Sequence, residues 1–437
     1  MAIDALDLLG SNSTSASTLQ NNHYLEFLIA DFRDAFFLLP NMRSERRYFV
    51  VWFNGQYIVF VRTVQGTRIA PLTWGRLAAL LTRLTQAVLG CDARMSTYVD
   101  DPITVSVGTH ATHRRRFATV ILLWSALRIP LSLEKAKISR TPEWTSAAYS
   151  STPSSVTVSI KGAILDDVKA LTQQFLSSNV VSLKDLESYI GKAMHIAGVI
   201  PVVRPFLTDL YAALHSKAPT HGSPSGCIWV KQIRHVLWWL RALLNEDFAK
   251  LTRRFSLQVH VGRGQTVEFH FDGCPWGMGG FLTVDHAIVS WFTAALTKHD
   301  CDSLGVEIGS SSSQQVIEAL AILIALRLWR QYWCANGVVL RIRSDSVSAL
   351  TMALKLKASG RATSIVAREI ALQAAMANYF PIIAEHVPGI ANCIPDVLSR
   401  RHQPSKEVWS LPAELQHIPE TTVAQIVYTT LQAPAAL

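Results

Sequence analysis

Two aspartates stand side by side in Thr97-Tyr98-Val99-Asp100-Asp101. Apolar Tyr98-Val99 comes before them and the apolar positions Ile103 and Val105 follow, the pattern of a hairpin that carries acids at its tip. Adjacent like charges repel, so they need a counter-charge to share one site. Magnesium is the usual partner of such oxygen ligands. Leu28-Ile29-Ala30-Asp31 reads as a buried strand ending on a third carboxylate. Two ions about 3.5–4 Å apart would serve phosphoryl transfer, one activating a hydroxyl and the other holding the leaving group. The plainer alternative makes Asp100-Asp101 solvated turn residues.

A second set of acids lies further on. Alternation in Val267-Glu268-Phe269-His270-Phe271-Asp272 puts the apolar residues on one face and Glu268, His270 and Asp272 on the other. Gly273, Gly277, Gly279 and Gly280 then read as a tight turn into a strand over Phe281–Val284. Glu318 sits in a stretch that is apolar nearly all round a helix, Val316–Ile324. Burying a lone carboxylate costs several kcal/mol unless it is paired or holds a metal. Both solutions are open for Glu318. Asp345 ends a strand over Val338–Arg343, and Asp396 opens a short last helix, where an N-cap role is the alternative.

The elements that must position these acids alternate along the chain. Tyr48–Val61 holds two apolar runs around Asn54-Gly55, a strong hairpin signal. Val168–Leu214 and Ile228–Leu251 read as helical. Ser150–Ser155 is a turn or boundary, and His221–Gly226 a loop. Helices are expected over Val316–Trp333 and Ala362–Asn378. The fold class is mixed α/β, in at least two domains, since 437 residues suffice for two cores. A net charge of +9 and basic pairs such as Arg253-Arg254 suit a polyanionic partner. No apolar run reaches the roughly 18–20 residues of a spanning helix, and no secretory signal is read at Met1–Gly10. Six scattered cysteines without CxxC spacing read as reduced thiols in an intracellular, cytosolic or nuclear, setting.

In order, the segments Asp31-Phe32-Arg33-Asp34-Ala35-Phe36, Gln65-Gly66 with Ala70-Pro71, Tyr98-Val99-Asp100-Asp101 and Glu134-Lys135 resemble motifs A to D of the reverse-transcriptase palm. The likeness is to retrotransposon enzymes of the Ty3-like or DIRS-like kind. It implies that Asp31, Asp100 and Asp101 hold metal. It gives the triphosphate site to Asp34 and Ala35, and makes Phe36 a gate against a ribose 2′-hydroxyl. Gln65 and Gly66 would touch nucleotide and template, Gly66 because only glycine lets backbone come so close. Lys135 would protonate the leaving pyrophosphate, or is simply an exposed lysine. Val168–Leu214 loosely resembles the thumb and connection of such enzymes.

Asp272, Glu318, Asp345 and Asp396 resemble, in order, the four metal carboxylates of type 1 ribonuclease H. That family carries them on the first strand, first helix, fourth strand and last helix. His386-Val387-Pro388-Gly389, Asn392 and Leu398-Ser399-Arg400 resemble the end of retrotransposon ribonuclease H domains, where the histidine aids proton transfer or product release. Gly273-Cys274, where many relatives have Ala-Ser, is expected to touch no ligand.

The resemblance implies a flexible lead-in over 1–22, a palm over 23–150 with fingers largely missing, and a helical thumb/connection over 151–257. A ribonuclease H-like domain over 258–404 and a tail of unassigned role over 405–437 complete it. The implied function is RNA-directed DNA polymerase plus ribonuclease H, with magnesium or manganese. The implied partners are an RNA template, a DNA primer, RNA–DNA hybrid and dNTPs. The alternatives are hybrid cleavage alone, or a non-catalytic nucleic-acid binder.

Overall fold

The computed structural model describes residues 1–13, 23–216, 225–335, 337–358, 360–377, 382–404 and 408–434. The fold is mixed α/β and divides into two compact units, Met1–Val158 with Phe255–His260, and Ser159–Arg254 with Val261–Leu437. Among the described residues no helix is long and apolar enough to cross a membrane.

In the first unit a helix, α1 (Ala2–Ser13), is followed by β1 (Tyr24–Ile29), β2 (Val50–Phe53) and β3 (Gln56–Val59). Next come α2 (Ala70–Leu89), β4 (Ala93–Tyr98), β5 (Asp101–Gly108), α3 (His110–Ala126), β6 (Lys137–Ser139), β7 (Glu143–Trp144) and β8 (Ala147–Thr152). Four strands form the sheet β4-β5-β1-β6. Its apolar faces explain its seat. Phe27, Ile103 and Val105 are fully buried with Leu6 and Leu8 of α1, while Leu28 and Met95 bury against Trp74 and Trp124 of α2 and α3. The start of the expected flexible lead-in is thus helical over Ala2–Ser13, because Ala5, Leu6, Leu8 and Leu9 make one apolar stripe. Residues 14–22 lie outside the described residues.

Asn54 and Gly55 join β2 to β3, both with positive φ (48° and 78°), as a tight hairpin turn requires. All eight residues of these two strands are exposed. Of the two readings of Ser150–Ser155, the turn is the one found: it joins β8 to the next strand, β9 (Ser155–Ile160), within which the chain leaves the first unit.

The second unit opens with α4 (Gly162–Ser177), β10 (Val180–Ser182), α5 (Leu183–Val199), α6 (Arg204–Leu214), β11 (Cys227–Trp229) and α7 (Arg234–Leu244). The expected helix over Ile228–Leu251 is therefore shorter, since its first residues pair as a strand, Val180 with Trp229 and Val181 with Ile228. Residues 221–224 of the expected loop lie outside the described residues. β12 (Thr252–Ser256) leads into the short α8 (Leu257–His260), which belongs to the first unit, and the second unit resumes with β13 (Gln265–Cys274), β14 (Gly277–Val284), β15 (Ala287–Ala295), α9 (Lys298–Leu304), α10 (Gln314–Leu328) and α11 (Arg330–Trp333). The order ends with β16 (Val338–Ser344), α12 (Val347–Lys355), α13 (Arg361–Met376), β17 (Ile382–His386) and α14 (Cys393–Ser399).

Five strands make the sheet β15-β14-β13-β16-β17. β13 runs parallel to β16, and β16 to β17, while β14 and β15 are antiparallel neighbours. Val267, Phe269 and Phe271 are fully buried in one core with the apolar face of α10, whose Ile317, Leu320, Ala321 and Leu323 are also fully buried. At about 25 cal/mol per Å² of apolar surface, each such side chain contributes roughly 1.5–3 kcal/mol.

Described residues of the tail join the core of the second unit. Trp409, Leu411 and Leu415 join Phe281, Trp291 and Leu398. Glu420 bridges Trp291, and Tyr428 is buried with its hydroxyl donating to Asp300 Oδ1 at 2.8 Å. Trp239 Nε1 of α7 donates to the Gln432 carbonyl at 3.0 Å.

Candidate functional sites

The first cluster grows from the register of β1 on β5, in which Ile29 faces Ile103. The pairing continues past the strand: Ala30 N donates to the Pro102 carbonyl at 3.0 Å and Phe32 N to the Asp100 carbonyl at 2.9 Å. Asp31 is thereby carried alongside Asp100-Asp101. Tyr98 pairs with Asp101, so Val99 and Asp100 form the tip of the hairpin. Val99 has φ +54°, a left-handed conformation that is strained for a β-branched residue. Trp74 Nε1 clamps this tip by donating to the Val99 carbonyl at 2.5 Å, and Trp144 Nε1 donates to the Asp101 carbonyl at 3.1 Å.

A cation already stands at this cluster. Lys135 Nζ lies 2.5 Å from Asp31 Oδ2. The hydrogen bond and charge of Asp31, with a smaller contribution from Asp100, hold the ammonium above its ordinary value. Ser132 N donates to the Asp31 carbonyl at 2.9 Å, which brings the Lys135 turn to the strand end. Asp34 is exposed with φ +53°, and Ala35 is buried. Phe36 is half-buried, its ring 6.5 Å from that of Trp74. Gln65 and Gly66 lie on an exposed turn before α2. Gly66 has φ +90° and open space where a Cβ would stand, so the turn itself is what calls for glycine there.

The second cluster is built on β13. Asp272 is 7% exposed, and Ser399 Oγ donates to its Oδ2 at 2.8 Å. Burial pushes this carboxyl up to about 6; the serine opposes that, and the charges of Asp345 and Asp396 add to it. Glu318 is half-buried on α10. Gln314 Nε2 donates to its Oε1 at 3.0 Å, and Ser346 Oγ donates to its Oε2. Asn392 Nδ2 donates to Asp345 Oδ1 at 3.3 Å. Arg400 donates twice to Asp396 Oδ1, at 2.9 and 2.7 Å. Asp396 lies inside α14, and Asn392 precedes that helix, so Asp396 is not its N-cap. His386 is exposed at the end of β17, paired with Ser344 next to Asp345.

Close packing sets the spacing of these acids. A Cβ on Gly273 would stand 2.9 Å from the Glu318 backbone nitrogen, so glycine lets α10 sit against β13. Gln314 reinforces this by donating also to the Gly273 carbonyl. Gly273, expected to have no bearing on the ligands, therefore positions Glu318. Gly277, Gly279 and Gly280 are not a turn; they are strand residues of β14. At Gly279 a Cβ would meet Leu398 at 2.4 Å, which is how α14 and Asp396 reach the sheet. One short helix, α9, precedes α10, so Glu318 is on the second helix after β13.

Beside Asp272 the same face carries Glu268 (4% exposed), His270 and Arg343. Arg343 pairs with Glu385 at 2.7 Å and lies 3.5 Å from Glu268. Burial, then the Arg343 charge, lowers the His270 imidazole.

The carboxylates, Asp272 among them, form a hard-oxygen donor set of the kind a magnesium-like ion takes; the exposed imidazole of His386 is a nitrogen group outside that set. Among the described residues no three such side chains converge as a ready metal cage. In the second cluster the acids have protein partners: Arg400 donates to Asp396, and Ser346 with Gln314 donate to the two oxygens of Glu318. Sequence reasoning missed Gln314 and Ser346. Ser346 immediately follows Asp345, and Gln314 stands one helical turn before Glu318.

No family model matches the chain, and no curated protein matches it. Solved structures do. A foamy viral protease-reverse transcriptase in complex with RNA/DNA hybrid matches at 14% identity and a TM-score of 0.43, over 92% of this chain and 46% of that one. The foamy viral protease-reverse transcriptase dRH in complex with double-stranded DNA matches at 13% identity and a TM-score of 0.43, over 83% of this chain and 56% of that one. A further complex of the protease-reverse transcriptase with double-stranded DNA matches at 13% and 0.41, over 83% and 67%. The chain thus spans about half the length of the first two. At these scores the likeness assigns no family, and the residues must carry the function.

Proposed function

We propose that the second cluster hydrolyses the RNA strand of RNA–DNA hybrids, with Asp272, Glu318, Asp345 and Asp396 as the acids that hold divalent metal. The observation that carries this is Asp272: a buried carboxyl, pushed up to about 6, near two more carboxylates and held by neutral donors, the Ser399 hydroxyl and the Gly273 backbone. Such a group lacks a cation. Magnesium, when bound, supplies a water acidic enough to attack phosphorus and neutralises charge on the leaving oxygen. The chain's own residues hold the acids for it. Ser399 fixes Asp272 Oδ2, Asn392 orients Asp345, and Ser346 with Gln314 orient Glu318. Arg400 holds Asp396 through two donors to its Oδ1, and Asp396 would serve a bound metal as the fourth acid. His386, exposed beside Asp345, is in reach of solvent to carry a proton away.

For the first cluster, Asp31, Asp100 and Asp101 support RNA-directed DNA polymerisation from dNTPs on a primed template. Lys135 would serve as proton donor to the leaving group, and Asp34, Ala35, Phe36, Gln65 and Gly66 as the nucleotide site. The backbone junction of Phe32 with Asp100 supports this reading. A binder without turnover is the remaining reading.

The test is direct. End-labelled RNA in a hybrid should be cut with magnesium by the full chain, and Asp272→Asn with Glu318→Gln should lower the rate by at least ~10²-fold, the scale of removing transition-state charge stabilisation. Unchanged cutting by that double variant would overturn the assignment. A primed RNA template separates the activities: cutting without dNTP incorporation leaves only the nuclease. Salt-sensitive binding with no cutting in the parent chain leaves only the binder.

A further inference from the structure

The geometry points to a phosphoryl-anion site in the helical part of the second unit, at a cavity of about 290 Å³ lined by Asn179, Trp229, Lys231 and Arg234. This goes beyond the carboxylate chemistry and stands whether or not that site cuts RNA. The pairing of β10 with β11 sets two of its walls: Val180 faces Trp229, and Val230 N donates to the Asn179 carbonyl at 2.9 Å, which holds Asn179 beside Trp229. A single 3₁₀ turn over Val230–Gln232 then swings the chain into α7, so Lys231 and Arg234 flank one opening. The volume is several times the roughly 30 Å³ share of one water.

Its charge is unbalanced. Both cations line the cavity, and no carboxylate does among the described residues. Neither Lys231 nor Arg234 is in an ion pair among the described residues. Lys231 Nζ rests 5.7 Å from the centre of the Trp229 ring, whose face attracts it but does not neutralise it. Arg234 Nε is buried with no hydrogen-bond acceptor. A guanidinium cannot shed its proton, so an orphaned donor on it is costly until an anion arrives. Its planar fork matches two oxygens of a phosphate, with the lysine ammonium as a second point charge and the Asn179 amide as a neutral donor. The source of that phosphoryl group is either a nucleic-acid backbone or free phosphate.

Two titrations on the full chain decide the matter. The first measures binding of a labelled RNA–DNA hybrid across a series of salt concentrations. A backbone contact predicts that Lys231→Gln lowers the slope of log K against log salt by about 1, and Lys231→Gln with Arg234→Gln by about 2. The second titrates inorganic phosphate by calorimetry. Heat of binding in the parent chain, lost in Lys231→Gln, with hybrid slopes unchanged, identifies free phosphate as the ligand. Unaltered slopes together with no phosphate heat overturn the site. Lys231 is exposed, so its single substitution leaves the fold intact and the test readable if Arg234→Gln unfolds the chain.

Discussion

The two acid clusters use the same residue type and solve the problem of like charge in opposite ways. In the first unit, Asp31 is satisfied from within: Lys135 sits 2.5 Å away, and the neighbouring acids stand on a hairpin tip beside solvent. In the second, Asp272 is enclosed at 7% exposure, held by a hydroxyl, and faces further acids. The first cluster carries its own cation; in the second, burial and the neighbouring acids hold Asp272 above the ordinary carboxylate range. Among the described residues Asp31 has an ion-pair partner, whereas Asp272 has a hydroxyl and lies near further carboxylates.

The largest effect that would sharpen this contrast is on stability. Asp272 titrates near 6 in the fold against an ordinary 3.8. The folded state therefore holds its proton more tightly than the unfolded chain. Stability from this group is full below the unfolded value and is lost as pH rises through about 6. The deficit at neutral pH is about 3 kcal/mol, at ~1.4 kcal/mol per unit. Asp272→Asn should recover much of it at pH 7.5 and nothing at pH 4, as read by denaturant unfolding; a gain that is the same at both pH values breaks the comparison. Asp31→Asn should gain nothing at either pH, since it discards an ion pair.

Next in size is the competition at the first cluster. Lys135→Gln, placed in an Asp272→Asn, Glu318→Gln background, should bind magnesium several-fold more tightly by calorimetry, because the internal cation no longer opposes it. Unchanged affinity would reduce Lys135 to a surface partner. The smallest effect concerns the hairpin tip. Val99 holds φ +54° where asparagine would rest more easily. Val99→Asn should raise stability by up to about 1 kcal/mol, visible as a small rise in Tm; a fall would mean that Val99 packing outweighs its strain.

Alternation and turn chemistry made much of this legible. Period-two spacing separated Phe269 from Asp272, Asn54-Gly55 announced its hairpin, and Asp100 was placed at a tip. What escaped reading depends on contacts far apart in the chain. Ser346 meets Glu318 across 28 residues, and Ser399 meets Asp272 across 127. Gly273 and Gly279 looked like turn residues because glycine signals both turns and close approach, and only the position of α10 and α14 distinguishes the two. The helicity of α1 was masked by the Ser/Thr/Asn-rich segment after it. Lys135 was legible only as a motif member; its pairing with Asp31 is set by the turn that Ser132 anchors.

The packed tail has a consequence in time. Trp239 waits for Gln432, 193 residues later, and His235 for the Thr430 carbonyl, 195 later. Contacts of such separation close loops whose entropy must be lost before the contact forms. A ribosome emitting this chain thus releases the helices around α7 long before their last partner exists. Until residues 408–432 emerge, the apolar seats of Leu415, Ile426 and Tyr428 stay open to water and to other nascent chains, and this interval is when the second unit is most exposed to misassembly.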